Sequence, residues 1–448
     1  MKNYLLYSFI AFTGGFLLFP NSGSTSVALS SEKIPLIQIN TEQRSSLEVG
    51  LEIGRKSKAL FTDIERRYDT HLATTLNQDL FDKIQQETLP KLLKKLDLKY
   101  QEELKGVAGV WSLTHTNKLG DGLLSLDEYH VLNLLPDIGF SPDGTGFAVF
   151  SEVSAENGPI IGRNLDWVST PELRSLQVIT VYQSNYKSIV NIGFAGIISV
   201  LTGFNDQGLF LAHYKAEPYS LYKNIQPISE SEHSQSNIFD LRKTLETSTS
   251  TQQATHYLSK KSYTYSHSIL LADKKSIQVL EYPQGGTAKV RQWNSSTRFD
   301  KDWDKELQIA VIDCHVLSSM PNNCKDIKDS YRWQRLRQLA QFNILRPASM
   351  QDMRNILFDT NNHLFEIFNP ETLQSMVYLP ESGNLYLYTA AVESSRPISP
   401  VHKAYLGIIP SELRNLHFNS NRYIIWLIWS VLALLFAIML WIRGSFNK

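Results

Sequence analysis

The 448-residue sequence predicts an α+β fold in which two antiparallel sheets pack face to face with helices outside, preceded by a helical region and followed by a transmembrane helix. Three observations predict it. Apolar residues recur every three and four positions over 42–105. From Phe147 the hydrophobic period changes to two. After that, strand-like and helix-like blocks alternate to the end of the body.

In order, Leu47, Leu51, Ile53, Leu60, Phe61 and Ile64 begin the helical stripe, and Leu80, Ile84, Leu89, Leu92, Leu93 and Leu96 continue it. A further helix is expected over 125–135. Alternating β-type runs follow at 146–151, 176–182, 189–194, 197–201 and 209–213. Helical spacing returns at 238–248 and 251–259. Strand runs resume at 265–272, 276–282, 288–293 and 307–311. Two helices at 329–342 and 349–358, then a strand pair at 374–379 and 384–390, complete the body. No second globular domain and no solenoid-period repeat is evident.

Residues 1–30 read as a signal peptide: Lys2, an apolar run over 4–19, then small residues near Ala28. An uncleaved anchor is the alternative. At the other end, 423–442 is twenty residues without a charge, long enough at ~1.5 Å per residue to span a ~30 Å hydrocarbon layer. Trp426, Trp429 and Trp441 suit the interfaces. The short basic tail 443–448 is expected on the cytoplasmic side, placing the body outside the cytoplasm on a single membrane pass.

The chain carries 44 basic and 44 acidic residues, so nothing favours nucleic acid. Gly-x-Ser-x-Gly, His-Glu-x-x-His and P-loop patterns are absent, and His213, His267 and His315 lack metal-ligand spacing, so no cofactor or metal is expected. The two cysteines, Cys314 and Cys324, are ten apart in a Pro/Asn-containing loop. In an oxidising compartment they are expected to bond, with Cα atoms within roughly 7 Å. Two free thiols, or a Cys314–His315 nucleophile pair, are the other readings.

The most informative run is Gly162-Arg163-Asn164-Leu165-Asp166-Trp167, shortly after Asp143-Gly144-Thr145-Gly146-Phe147. An Arg and an Asp three apart after a β-type run suit a charge network that holds a nucleophile and a substrate carbonyl. Leu201-Thr202-Gly203-Phe204-Asn205-Asp206-Gln207-Gly208-Leu209 places an Asn in a tight turn between strands, and Asp329-Ser330-Tyr331-Arg332-Trp333 adds a late Ser-x-Arg element. Together these resemble the N-terminal-nucleophile (Ntn) hydrolases. Within that superfamily they resemble the branch of choloylglycine hydrolase, acid ceramidase, N-acylethanolamine acid amidase and the penicillin acyltransferases. Leu51-Glu52-Ile53-Gly54-Arg55 and residues 103–109 match the N-terminal portion of that branch.

The resemblance covers about 34–410 and implies a four-layer αββα sandwich at 141–410, with 31–140 as the counterpart of a prosegment. It implies cleavage of linear amides in N-acyl compounds, lipid-like or bile-acid-like. Arg163 and Asp166 would orient the reacting end, Asn205 would offer an amide donor, and Arg332 would complete the charge network. These four are expected to converge on one cleft with Gly144 or Thr145 at its floor. For each, a satisfied buried polar group is the plain alternative.

Two positions depart from the family pattern. Gly144 stands where the nucleophilic Cys belongs, and Cys314 where a later oxyanion-binding Asn belongs. Two further readings therefore stand beside an active amidase. One is a pseudoenzyme that binds an acyl ligand or a protein partner. The other is a Thr145 nucleophile released by self-cleavage after Gly144, although a one-residue slip along a strand turns a side chain to the opposite face. An acyl-ester hydrolase on the same scaffold is a weaker reading, since nothing in the residues selects ester over amide.

Overall fold

The computed structural model describes residues 34–156, 158–185, 187–216, 235–360 and 366–392. The signal peptide at 1–30, the transmembrane helix at 423–442 and the tail at 443–448 lie outside the described residues. Among the described residues, no helix is long and apolar enough to cross a membrane.

The helical region is built from local signals. Strand β1 (Leu36–Asn40) is followed by α1 (Ser46–Leu60), which starts at a capping box in which Ser45 accepts from the Glu48 amide. Next come α2 (Ile64–Thr75), α3 (Gln78–Lys83), α4 (Leu89–Lys95), α5 (Leu98–Ala108) and α6 (Leu126–Leu134). The continuous stripe read from 42–105 is thus divided among five helices, one break falling at the Leu96-Asp97 junction. Helices α1 and α5 touch backbone to backbone at Gly50 and Gly106: a Cβ on either would fall on the other's main chain.

The body adds β2 (Asp143–Val149), β3 (Ile160–Asp166), the short helix α7 (Pro171–Ser175), β4 (Gln177–Gln183), β5 (Ser188–Phe194), β6 (Thr202–Asn205) and β7 (Phe210–Lys215). Helices α8 (Asn237–Thr247) and α9 (Thr251–Leu258) precede β8 (His267–Ala272), β9 (Ile277–Tyr282), β10 (Lys289–Arg291) and β11 (Gln308–Val311). Helices α10 (Ile327–Leu339) and α11 (Met350–Leu357), then β12 (Thr372–Leu379) and β13 (Asn384–Thr389), end the described chain.

Two sheets form, ordered β1-β4-β5-β6-β7-β8-β9-β10 and β11-β2-β3-β12-β13. Alternation along each strand sorts its side chains between two cores. Ala148, Ile161, Val181, Ile192, Phe210, Leu270 and Met376 meet between the sheets. On the far face of the smaller sheet, Phe147 and Val149 pack with Trp333 and Leu336 of α10 and Met353 of α11. On the far face of the larger sheet, Leu211, Ile269 and Leu280 pack with residues of α1, α2, α5, α6 and α8. The result is helix, sheet, sheet, helix.

Two expectations need correction. The larger sheet is mixed, because β1 runs parallel to β4. Residues 197–201 are not a strand: Gly196 turns with φ +75°, the Ile198 amide donates to Asn133 Oδ1, and the Ser199 carbonyl accepts from Asn191 Nδ2. Those side chains take the backbone groups a ladder would have used.

Candidate functional site

Strands β2 and β3 pair antiparallel, setting Asp143 opposite Asp166, Gly144 opposite Leu165, Thr145 opposite Asn164 and Gly146 opposite Arg163. At Gly144 the backbone has φ +149°, and an added Cβ would lie on the Asn164 carbonyl oxygen. Only glycine fits there without displacing β3. The Gly144 amide donates to Asp313 Oδ1 at 2.7 Å, and its carbonyl accepts from Arg332 Nη1 at 3.4 Å.

Arg332, on α10, is the hub. Its Nη1 lies 2.6 Å from Asp313 Oδ2 and its Nη2 3.4 Å from Asp166 Oδ2. Asp166 also accepts from Thr372 Oγ1 and Asn369 Nδ2, each at 2.7 Å. Lys215 Nζ, itself buried, stands 3.1 Å from Asp143 Oδ1. Burial pushes the Asp166 and Asp313 carboxyls up, Asp143 adding to the effect on both, and Arg332 opposes it. Burial also raises Asp329 to about 6. For Arg332, burial alone would lower the pKa, but the carboxylates led by Asp313 and Asp166 hold it above its ordinary value.

Arg163 points the other way, into the space between the sheets. Its Nη1 donates to the Leu201 carbonyl at 2.7 Å and to Thr202 Oγ1, and its Nη2 donates to the His213 carbonyl at 2.7 Å. The guanidinium lies 4.9 Å from the Tyr214 ring centre. Burial lowers its pKa to about 10, against the pull of Tyr214, Asp166 and Asp313. Arg163 and Asp166, three apart, thus leave opposite faces of β3 yet share one electrostatic neighbourhood at its end.

The structure brings Gly144, Asp166 and Arg332 together, sets Arg163 on the opposite face of β3, and does not bring Asn205 to them. Asn205 Nδ2 donates to the Leu245 and Ser248 carbonyls at the end of α8, while its Oδ1 accepts from the Gln207 and Leu209 amides. It locks the β6–β7 turn to a helix end, and the pattern fits a turn residue with all its capacity used. Thr145 follows the parity of Phe147 and Val149, toward α10 and α11, and is fully buried with no hydrogen-bond partner for Oγ1 among the described residues. Cys314 is disulfide-bonded to Cys324, Cα atoms 5.0 Å apart, and so offers no donor in place of an Asn.

Sequence reasoning missed Asp313, the residue that joins Gly144 to Arg332, as well as Asp143, Lys215, Asn369 and Thr372. Asp313 directly precedes Cys314-His315, and that adjacency to a cysteine with chemistry of its own was the one signal available. Beside this network lies a small apolar cavity of about 20 Å³, room for little more than a water, walled by Tyr68 and His71 of α2, Leu132 and Leu135, Trp167 and Phe194. Its edge is Leu201, whose carbonyl holds Arg163.

A two-sheet sandwich with an Arg/Asp pair on the strand facing the start of β2 defines an Ntn-hydrolase-type protein. The family model described as acyl-coenzyme A:6-aminopenicillanic acid acyl-transferase matches residues 153–390, more than half of the chain. The chain belongs to that family. It is 29% identical to acid ceramidase of Rattus norvegicus over 198 residues, 42% of this chain and 48% of the relative. To acid ceramidase of Balaenoptera acutorostrata scammoni it is 32% identical over 128 residues, 28% and 31% of the two chains. It spans about half or less of the curated relatives it matches. Among solved structures it is similar to a Caenorhabditis elegans N-acylethanolamine-hydrolyzing acid amidase ortholog, with TM-score 0.37 and 17% identity over 59% of this chain and 100% of that one. It is also similar to penicillin V acylase from Agrobacterium tumefaciens, with TM-score 0.35 and 12% identity over 55% and 83%.

Proposed function

We propose that this chain binds the amide end of an N-acyl, lipid-like small molecule at the Asp166–Arg332 pair, with Arg163 across β3 holding the strands beneath it and the acyl chain parting the adjoining apolar walls, and does so without a nucleophile at position 144. One observation carries the reading: the charged network and the apolar walls of the small cavity meet at Leu201, so one ligand with a polar head and an apolar tail would satisfy both once those walls part to admit the tail. Gly144 has no side-chain atom to attack with, and its backbone refuses one. The protein is then a family member that keeps the amide-facing charges and has lost thiol chemistry at 144. No cofactor or metal enters this reading of the amide site.

A second reading is favoured by the Thr145 hydroxyl, buried and unpartnered among the described residues, beside a Gly144 carbonyl that accepts from Arg332. Attack by Thr145 Oγ1 on that carbonyl carbon would shift the acyl group from nitrogen to oxygen. Water would then release a Gly144 carboxylate and a free Thr145 amine, giving a threonine nucleophile. The face on which Thr145 lies, away from Arg163, places this second.

The apolar run at 423–442 and the N-terminal signal-like segment support a further element of the proposal: a single-pass anchor with the body outside the cytoplasm, reaching N-acyl compounds at the bilayer. Incubating the purified protein with a long-chain N-acylethanolamine tests the reading. Saturable binding with the amide recovered intact is expected. No binding overturns the proposal, and release of free fatty acid moves it to the second reading.

A further inference from the structure

The loop between α5 and α6 carries a feature with no place in the amide site. Residues 117–128 read Asn-Lys-Leu-Gly-Asp-Gly-Leu-Leu-Ser-Leu-Asp-Glu, and the helix after them, α6, starts at Leu126. This is the spacing of a twelve-residue calcium loop: an oxygen donor first, Asp fifth, Gly sixth, Ser ninth, Glu twelfth. Gly122, the sixth residue, has φ +87°, as the sharp turn requires. The loop departs from the pattern at its third position, Leu119.

A carboxylate from another helix enters the same loop. Asp69 of α2 is fully buried and accepts from the Gly120 amide at 2.6 Å and the Gly122 amide at 2.7 Å. The independent pointer to a ligand is Glu128. It is fully buried, its Oε2 takes the Ser125 amide at 2.7 Å, and its Oε1 has no hydrogen-bond partner among the described residues. The charges it feels are those of Asp69 and Asp121, and Asp69 in turn feels Asp121. Three carboxylates thus lie near enough to repel one another, with no lysine or arginine paired to any of them among the described residues. A buried carboxylate oxygen without a partner is disfavoured, and like charges add to that.

We propose that this loop is a Ca²⁺ site, with Asp121, Glu128 and Asp69 as its acidic oxygens, Asn117 Oδ1 and the Leu123 carbonyl as neutral ones, and water at the position Leu119 leaves open. An all-oxygen set with an open, irregular geometry selects Ca²⁺ over Mg²⁺, which needs a tighter octahedral cage. Among the described residues no group of three acidic or imidazole side chains is already arranged to hold a metal. Binding therefore draws Asp121 and Glu128 Oε1 inward. With one loop ligand replaced by leucine, the affinity belongs to the weak class, with Kd about 10⁻⁴–10⁻³ M. A cation there ties α2 to α6, two of the walls of the apolar cavity. The site itself stands whether or not the acyl-ligand reading does.

The test is a Ca²⁺ titration of the full chain by calorimetry and thermal melting, with Mg²⁺ in parallel and Tb³⁺ luminescence as a second readout. Tyr129, next to Glu128, is the near sensitiser. One Ca²⁺ per chain is expected, with a melting temperature about 2–4 °C higher in 10 mM Ca²⁺ than in chelator and little response to Mg²⁺. Glu128→Gln, which keeps the cap on Ser125, should weaken Ca²⁺ at least about tenfold. Asp121→Asn, at an exposed position, should do the same and covers the case in which the first variant folds poorly. No Ca²⁺ response, an equal response to Mg²⁺, or an unchanged response in Asp121→Asn overturns the proposal, the last showing an adventitious cation only.

Discussion

From the sequence resemblance, replacing Gly144 by Cys is expected to supply a nucleophile and revive some self-cleavage before residue 144. The structure predicts a different outcome. At φ +149° any L-residue is strained, which costs about 1–3 kcal/mol. The new Cβ would also lie on the Asn164 carbonyl oxygen, a backbone atom inside a paired strand that cannot swing aside. Relieving that overlap costs about 1–3 kcal/mol more. The sum predicts a melting temperature roughly 5–15 °C below wild type and no fragment starting at residue 144. Circular-dichroism melts with mass spectrometry check it. Thr145→Val serves as control, since it removes an unpartnered buried hydroxyl and should be neutral or stabilising. A Gly144→Cys protein that melts within about 2 °C of wild type would refute the backbone argument.

Three other outcomes follow from the same structure. Asn205→Ala orphans the Leu245 and Ser248 carbonyls and should cost about 2–4 kcal/mol in urea denaturation while leaving acyl-ligand affinity of the folded fraction unchanged; a selective loss of affinity would return Asn205 to the site. Arg332→Met leaves Asp166 and Asp313 buried without their cation, so about 3–5 kcal/mol should be lost at pH 7 and part of it regained at pH 5, where the carboxyls can protonate; equal losses at both pH values would contradict the hub assignment. His71 is buried and held neutral, its pKa lowered to about 4, whereas the unfolded chain protonates near 6.5. Stability from this group is therefore present above pH 6.5 and lost as pH falls from 6.5 toward 4, by up to about 3 kcal/mol. His71→Gln should flatten the acid side of the melting profile, and an unchanged profile would refute this.

Much of the fold was legible because period is a strong signal. The alternating runs at 265–272 and 276–282 are β8 and β9, and the last helix–helix–strand–strand block was read in order. What stayed hidden has physical causes. Strand β1 is five residues long and is held by parallel pairing to β4, which sequence does not display. Residues 197–201 have strand-like composition, but Asn133 and Asn191, outside that run, take their backbone groups. Motifs singled out Arg163, Asp166 and Arg332, of which the structure sets Asp166 beside Arg332 and Arg163 across β3, whereas Asp313 had no motif of its own. Asn205 shows the converse: a recognisable turn asparagine whose contacts here are with a helix end. The parity of β2 could be read from sequence, and it put Thr145 on the face where the structure has it.

In the proposed site, the Asp166–Arg332 charges surround a backbone that stays uncut at Gly144. Intact mass and N-terminal sequencing of the purified native protein test it most directly. One uncut chain is expected through the Asp143-Gly144-Thr145 region. A native fragment beginning at Thr145, with amide hydrolysis abolished by Thr145→Ala, would contradict it and establish a threonine nucleophile.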